Sequence, residues 1–277
     1  MRREMNSLSK ATVLELKLLA RDPVTVVFTL ALPVIVLYVL GQVFGNTAHP
    51  GMYRGVGAMN YYVPAYIALA VASMGLIGLP VHLAGYRERG VLKRFRASDV
   101  PIRSVIGAQV IVTVVAGVIA SLIVWGAAIL SYSIEFPKQP WAVLAAFTLG
   151  AICFGFIGVL LGALLPTARA AQGAGIILWF VMMMIGGSGP PPEVLGATLR
   201  SIGDFTPLKH VVVLIQDPWL GWGWNMRETL TVLGILSGSA ILAFVILRYP
   251  QWLPALRARV VLAVRRSGAG RPAHSGS

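Results

Sequence analysis

Two sets of residues in this 277-residue chain have types and spacings that could do chemistry. The first is YRERGVLKRFRASDVP, residues 86 to 101, which holds seven of the chain's 33 Lys, Arg, Asp and Glu side chains. Glu88, Leu92 and Phe95 follow one another at i, i+4, i+7, and Arg89, Lys93 and Arg96 repeat that spacing on the adjacent face. The pattern predicts a helix with a charged side and an apolar stripe. Such a helix does recognition rather than catalysis, because its stripe needs a cover, either inner-leaflet lipid or a protein. A purely topogenic basic loop accounts for the arginines but leaves Leu92 and Phe95 uncovered. Gly90 allows a bend before the helix, and Ser98 or Asp99 can cap the next one, with Pro101 in its first turn. The second set pairs a nucleophile with a base: Ser188 in Gly186-Gly187-Ser188-Gly189, and His82 in His82-Leu83-Ala84-Gly85. Their chemistry needs the two side chains within hydrogen-bond reach.

The elements that must position these groups are transmembrane helices. Only 12% of the residues are charged, about half the ~25% of ordinary globular proteins. Six charge-free stretches meet or approach the roughly 20 apolar residues needed to cross a bilayer. They are Val24 to Phe44, Tyr61 to Ala84, Val105 to Ile134, Trp141 to Leu165, Ala170 to Gly187 and Leu230 to Leu247. The first is too long for a signal-peptide core and is followed by five more, so it reads as a retained span. Asp22-Pro23 supplies its N-cap and first-turn proline. Pro33, Pro64 and Pro80 fall inside spans, where kinks are tolerated when neighbours satisfy the freed carbonyls. Gly158 and Gly162, extended by Gly155 and Ala151, make a small-residue face that suits either a subunit contact or packing within one subunit.

Charge distribution orients the chain. With both termini cytoplasmic, segments 1–23, 86–104, 166–172 and 248–277 hold eighteen of the 23 Lys and Arg, and the outer segments hold Arg54, Lys138, Arg200, Lys209 and Arg227. This is the positive-inside bias. The ten acidic residues divide evenly, so the excess behind the +13 net charge faces the cytoplasm, where anionic lipid attracts it; no nucleic-acid partner is required. Tyr61, Tyr62, Tyr132, Trp141, Trp219, Trp222, Trp224, Tyr249 and Trp252 cluster near span ends, as aromatic-belt residues do.

This topology separates Ser188, at the outer end of span five, from His82, near the inner end of span two. The two stretches resemble the motifs of rhomboid proteases, yet their order along the chain is reversed, and a protease is disfavoured. Several classes lose support for want of residues. No span contains Asp, Glu, Lys or Arg, which weighs against a proton-coupled carrier, although sodium sites built from backbone carbonyls remain open. No G-x-x-x-x-G-K-[ST] loop occurs, so this chain does not hydrolyse ATP by the usual route. A single cysteine, Cys153, excludes a disulfide framework or cysteine metal site within one chain. The four histidines are scattered and form no metal cluster, which counts against a membrane-embedded lipid-modifying enzyme. A membrane anchor for a cytoplasmic partner is the other alternative; it would share the polar helix but need no elaborate outer segment.

The polar segment also resembles a known signature. Arg87-Glu88-Arg89-Gly90-Val91-Leu92-Lys93-Arg94-Phe95-Arg96-Ala97-Ser98 followed by Pro101 is similar to the acidic-basic cluster, Gly-Thr-Leu, basic residues, small residue and proline found after the second span of type-2 ATP-binding-cassette (ABC) exporter permeases, including the daunorubicin-resistance type. Val91 stands where that family usually has Thr, and Tyr86 where an acidic residue is common. The resemblance implies an all-α polytopic membrane protein: one transmembrane domain over residues 1–277, six spans, cytoplasmic termini, and an amphipathic helix within 1–23. It implies that residues 86–101 are the coupling helix, with Arg87, Glu88, Arg89, Gly90, Leu92, Lys93, Arg94 and Phe95 engaging a separate ABC ATPase that binds ATP and Mg. Residues 188–228 resemble the family's re-entrant outer gate, for which Pro190, Pro191, Pro192, Leu195, Leu199 and Pro207 are candidates. Here the residues themselves predict two short helices, striped by Leu195, Leu199 and Ile202 and by Leu208, Val211, Val212 and Ile215, too short to span and able to re-enter or to lie on the leaflet. By the same resemblance spans one, two and five line a central cavity, where Trp179, Phe180, Met182, Met183 and Met184 offer adaptable sulfur and flat faces to lipophilic cargo. The expected setting is a bacterial plasma membrane, with membrane lipid, the ATPase and a second, identical permease subunit as partners. No metal, and no cofactor in this chain, is expected. The basic tail, 248–277, repeats the surface theme, with Leu256, Val260 and Val264 along one side.

Overall fold

A computed structural model describes residues 12–13, 16–18, 21–48, 51–91 and 102–248. Six of its helices are long and apolar enough to cross a membrane. The first is α1, Pro23–Phe44, and the second α2, Ala58–Glu88. They are followed by α3, Ile102–Tyr132, α4, Pro140–Leu164, and α5, Ala168–Ile185. Two short helices come next, α6, Ala197–Gly203, and α7, Pro207–Leu220; the last span is α8, Met226–Arg248. No strand occurs among the described residues, only an isolated bridge between Ala48 and Gly57. Each span agrees with an expected stretch, and α2 continues past the apolar run because Tyr86, Arg87 and Glu88 extend the same helix. Below, the end carrying 45–57, 133–139 and 186–225 is called outer, after the charge reading, and the end carrying 86–91 and 165–167 inner.

Helix α2 is the centre of the bundle. It is apolar on every side, and a helix of that kind is stable only when covered all round; 89% of its most apolar window is buried, against 22% for α5 and for α8. It touches α1, α3, α4, α5 and α7. The spans around it turn one face to α2 and leave the opposite face bare, as Ile35 and Val39 of α1 and Ile177 and Val181 of α5 show, while α8 packs on α4 and α7 instead.

Two prolines set the shape of this centre. Proline has no N–H and clashes with the carbonyl four residues back; both α1 and α2 respond with a π-helical turn just ahead of one, Val27–Ala31 before Pro33 and Met74–Gly78 before Pro80. In that wider register Leu32 N–H reaches the Val27 carbonyl and Leu79 N–H the Met74 carbonyl. The next carbonyls, Phe28 and Gly75, are those the prolines cannot serve. The Phe28 carbonyl faces the Ser73 hydroxyl of α2 at 3.0 Å. The Gly75 carbonyl lies against Gly158 of α4, and its neighbour Leu76 against Gly175 of α5. A Cβ at Gly158 or Gly175 would come within 2.4 or 2.1 Å of those oxygens. Small residues are therefore required for backbone to meet backbone. Gly162 receives the Leu83 side chain and Gly155 faces Val110 of α3. The glycine face of α4 thus packs within one chain, against α2 and α3.

Around the outer half of α2, Tyr53, Tyr61, Tyr62 and Tyr66 form an aromatic stack that Phe44 joins, with neighbouring centroids 5.1–5.9 Å apart. Tyr61 and Tyr62, expected in the aromatic belt, are instead buried, because their helix lies at the centre of the bundle. Trp219 is likewise buried, edge-on to Trp125, whereas Trp141 and Trp222 remain exposed. At the N-terminus, Asp22 caps α1 as expected, accepting from Val24 and Thr25 N–H at 3.2 and 3.3 Å. Of the amphipathic helix expected within 1–23, Leu16 packs against Met74, Val112 and Ala116; most of that segment, and the tail beyond Arg248, lie outside the described residues.

Candidate functional site

The chain brings its expected functional residues together at two places, one at each end of α2. At the inner end the helix stops at Glu88. Arg89 N–H bonds the Gly85 carbonyl at 3.0 Å, Gly90 N–H bonds the Arg87 carbonyl at 3.1 Å, and Gly90 turns the chain with φ +69°. Glycine is suited to that conformation, and the bend falls where the sequence expects it. Lys93, Arg94, Leu92 and Phe95 lie outside the described residues.

Arg87 and Glu88 turn back onto their own chain. Helix α4 ends at Leu164, and the last carbonyls of a helix lack intrahelical partners. Pro166 makes this worse, because it cannot donate to Gly162. Arg87 Nη1 fills the gap, donating to the carbonyls of Gly162 at 2.7 Å, Leu165 at 3.3 Å and Ala163. Glu88 does the reverse at the start of α5, where Oε2 accepts from Ala168 N–H at 3.0 Å, while Thr167 caps the helix through Ala170 N–H at 3.1 Å. A cation thus sits at a helix C-terminus and an anion at a helix N-terminus, each matching the local dipole. Two consecutive residues of α2 thereby hold both sides of the 165–167 linker. Gly85 lies beside Ala168 as well, a Cβ built on it standing 3.6 Å from the alanine Cβ.

At the outer end, α7 is wedged among α2, α4, α5 and α8. Its stripe of Leu208, Val211, Val212 and Ile215 is buried. Val211 meets Gly150, ten residues into α4, about 15 Å along that helix. Pro207 opens α7 as its first residue. The partner stripe behaves differently: Leu199 and Ile202 of α6 are about half exposed. Pro192 starts a 3₁₀ turn, Pro192–Val194, ahead of α6, with Leu195 at its end.

Also at the outer end, a cavity of about 460 Å³ opens between α1, α2, the end of α5 and the chain that follows it. Met183, Met184, Pro190 and Pro191 line it together with Phe44 and Tyr62. Four residues from two expected groups, cargo path and gate, thus share one wall. Tyr53 lines it too; burial, then the Glu193 carboxylate, push its phenol above the usual value, and its hydroxyl has no hydrogen-bond partner among the described residues.

The remaining cargo-path residues are elsewhere. Trp179 is buried at the junction of α1, α2 and α5, edge-on to Phe28 at 5.2 Å and donating from Nε1 to Ser73 Oγ at 2.7 Å. Phe180 is about half exposed on the far side of α5, and Met182 packs against the core. Ser188 donates to the Ala65 carbonyl at 3.2 Å. Ala65 precedes His82 by 17 residues on the same helix, about 25 Å, so Ser188 and His82 cannot form a nucleophile–base pair. No group of three His, Cys, Asp or Glu able to hold a metal occurs among the described residues.

One polar site escaped the sequence reading. Asp217, on the side of α7 opposite its apolar stripe, is buried and bonds Arg54 Nη1 at 2.8 Å and Asn225 Nδ2 at 2.8 Å, while the Arg54 guanidinium lies 4.0 Å from the centre of the Trp222 ring. Gln216 beside it donates to the Tyr61 carbonyl at 2.9 Å. The available signal was the Gln216-Asp217 pair itself, two polar residues in a helix otherwise spaced for burial. These contacts hold α7 to the start of α2 and to the 51–57 loop.

Comparison with known proteins agrees with this architecture. The family described as "ABC-2 type transporter" matches residues 8–218. The "Putative transport permease YvfS" of Bacillus subtilis (strain 168) is 25% identical over 207 residues, which cover 74% of this chain and 82% of that protein.

Proposed function

The chain belongs to the ABC-2 type transporter family, and from that premise we propose that it is the membrane subunit of an ATP-driven exporter for hydrophobic or amphipathic cargo: a drug, a lipid or a lipid-linked natural product. Two such subunits work with two copies of a separate ABC ATPase, which binds ATP and Mg, in the plasma membrane of a bacterium. Both termini face the cytoplasm. The observation that carries the cargo class is the outer cavity of Met183, Met184, Phe44 and Tyr62, roofed by Pro190 and Pro191. Flexible thioethers and aromatic faces accommodate varied apolar shapes, and the spans carry no charge between their ends to hold an ion or a sugar phosphate. ATP binding draws the ATPases together and moves the segment beyond Gly90; the spans follow, and α6 and α7 form the outer closure.

The test is capture of the ATPase encoded beside this protein, comparing the native chain with a Leu92→Asp, Phe95→Asp double variant and following ATP hydrolysis in lipid. Native protein retains the ATPase and the variant loses it. If neither captures it, the exporter reading fails.

A further inference from the structure

We propose that Arg87 and Glu88 are transmission residues rather than ATPase contacts: they join the end of α2 to the inner ends of α4 and α5, so that the three helices move as one body when the segment beyond Gly90 is displaced. This rests on the exporter reading and assigns a role within it. Four observations carry it. Arg87 spends its Nη1 donors on carbonyls of residues 162, 163 and 165, and Glu88 spends Oε2 on Ala168 N–H. These acceptors and this donor are helix-end groups with no helical partner of their own, so the bonds stand in for missing backbone ones. Below the clamp the same three helices are closely packed: Gly162 receives the Leu83 side chain, Gly158 lies against the Gly75 carbonyl and Gly175 against the Leu76 carbonyl. Close-packed interiors transmit displacement rather than absorb it. The hinge lies immediately after the clamp, at Gly90 with its left-handed φ of +69°. Displacement of the basic segment therefore reaches α4 and α5 through α2, and α7, wedged between α2 and α4, moves with them.

The experiment uses the full chain with its ATPase in proteoliposomes and reads three quantities: ATPase captured, ATP hydrolysed and a lipophilic fluorescent dye exported. An Arg87→Gln, Glu88→Gln double variant retains the ATPase as the native chain does, while dye exported per ATP falls by about tenfold or more, the scale set by losing charge-assisted hydrogen bonds. A Gly85→Cys, Ala168→Cys pair in a Cys153→Ala background then restores the link covalently, since the 3.6 Å Cβ separation suits a disulfide. Oxidation of that pair restores coupling to the Arg87→Gln, Glu88→Gln chain, and dithiothreitol reverses the rescue. In the otherwise native chain, the same disulfide leaves export intact. Three results overturn the proposal. The glutamine variant loses the ATPase as the Leu92→Asp, Phe95→Asp chain does, exports dye as the native chain does, or the disulfide blocks export in the native background. Failure of the native chain to capture any ATPase removes the exporter reading and this role with it.

Discussion

Trp179 shows how one side chain can tie three helices together. Its indole N–H, the Ser73 hydroxyl and the Phe28 carbonyl join α5, α2 and α1 where the π turn before Pro33 has freed an acceptor. Ser73 has one proton to place between the Phe28 and Leu69 carbonyls, at 3.0 and 2.9 Å, and accepts from Trp179. Ser73→Ala leaves Trp179 only the Leu69 carbonyl at 3.4 Å and the Phe28 carbonyl none. Interhelical hydrogen bonds within membranes average roughly 0.6 kcal/mol and reach about 1.7; a loss of about 1 kcal/mol is expected, read as a lower thermal midpoint in detergent. A double-mutant cycle with Trp179→Phe should show coupling between the two losses, because both remove the same bond. Additive losses would mean that the bond contributes nothing. The same arrangement gives Trp179, a candidate for cargo by residue type, a packing role between α1, α2 and α5.

Glycine placement decides how the helices meet, and α5 offers a controlled comparison. Gly173 and Gly175 lie two residues apart; a Cβ at Gly173 meets nothing within 4 Å, whereas one at Gly175 meets the Leu76 carbonyl at 2.1 Å. Gly173→Ala should be neutral or stabilising by about 0.5–1 kcal/mol, through reduced backbone entropy in the unfolded chain. Gly175→Ala must push α5 away from the π turn of α2, and overpacking of this kind costs about 1–3 kcal/mol. Parallel thermal unfolding of the two variants tests this, and equal midpoints would contradict the packing. Small residues in apolar runs can be read from sequence, but which of two neighbouring glycines faces backbone depends on helix rotation. The carbonyl that Gly175 meets belongs to the π turn of α2, which no periodicity of 3.6 anticipates.

Across the whole molecule, α2 connects an inner clamp to an outer cavity, and its central position makes it the shared wall of both. The outer cavity is also a place where cargo binding and ATPase coupling can be separated. Met184→Trp narrows the space between Pro190, Phe44 and Tyr62 while leaving residues 86–91 untouched. Export of a bulky lipophilic dye should fall by roughly tenfold, the cost of losing about 1.4 kcal/mol of binding, with capture of the ATPase unchanged. Dye export at the native rate would place the path elsewhere. The bare faces of α1 and α5, with Ile35, Val39, Ile177 and Val181 exposed, face lipid or a second copy.

The sequence by itself determined the solvent, the number of spans and their limits to within a few residues, because crossing hydrocarbon demands length and apolarity that composition alone reveals. It also marked 86–101 as a polar break with a bend at Gly90, since charge is rare enough here to be conspicuous. The bend stands in the structure, and most of the helix beyond it lies outside the described residues. Tertiary structure decided the rest. Arg87 and Glu88 carry charges suited to an ATPase surface, yet only the proximity of the 165–167 linker shows them completing the ends of α4 and α5. Tyr61 and Tyr62 sit at a span end, yet face the centre because α2 is enclosed. Leu199 and Val211 share a spacing pattern, yet one is exposed and the other buried, because only α7 has a Gly150 to receive it. Residue type fixes what a side chain can do, and the packing of six helices fixes what it meets.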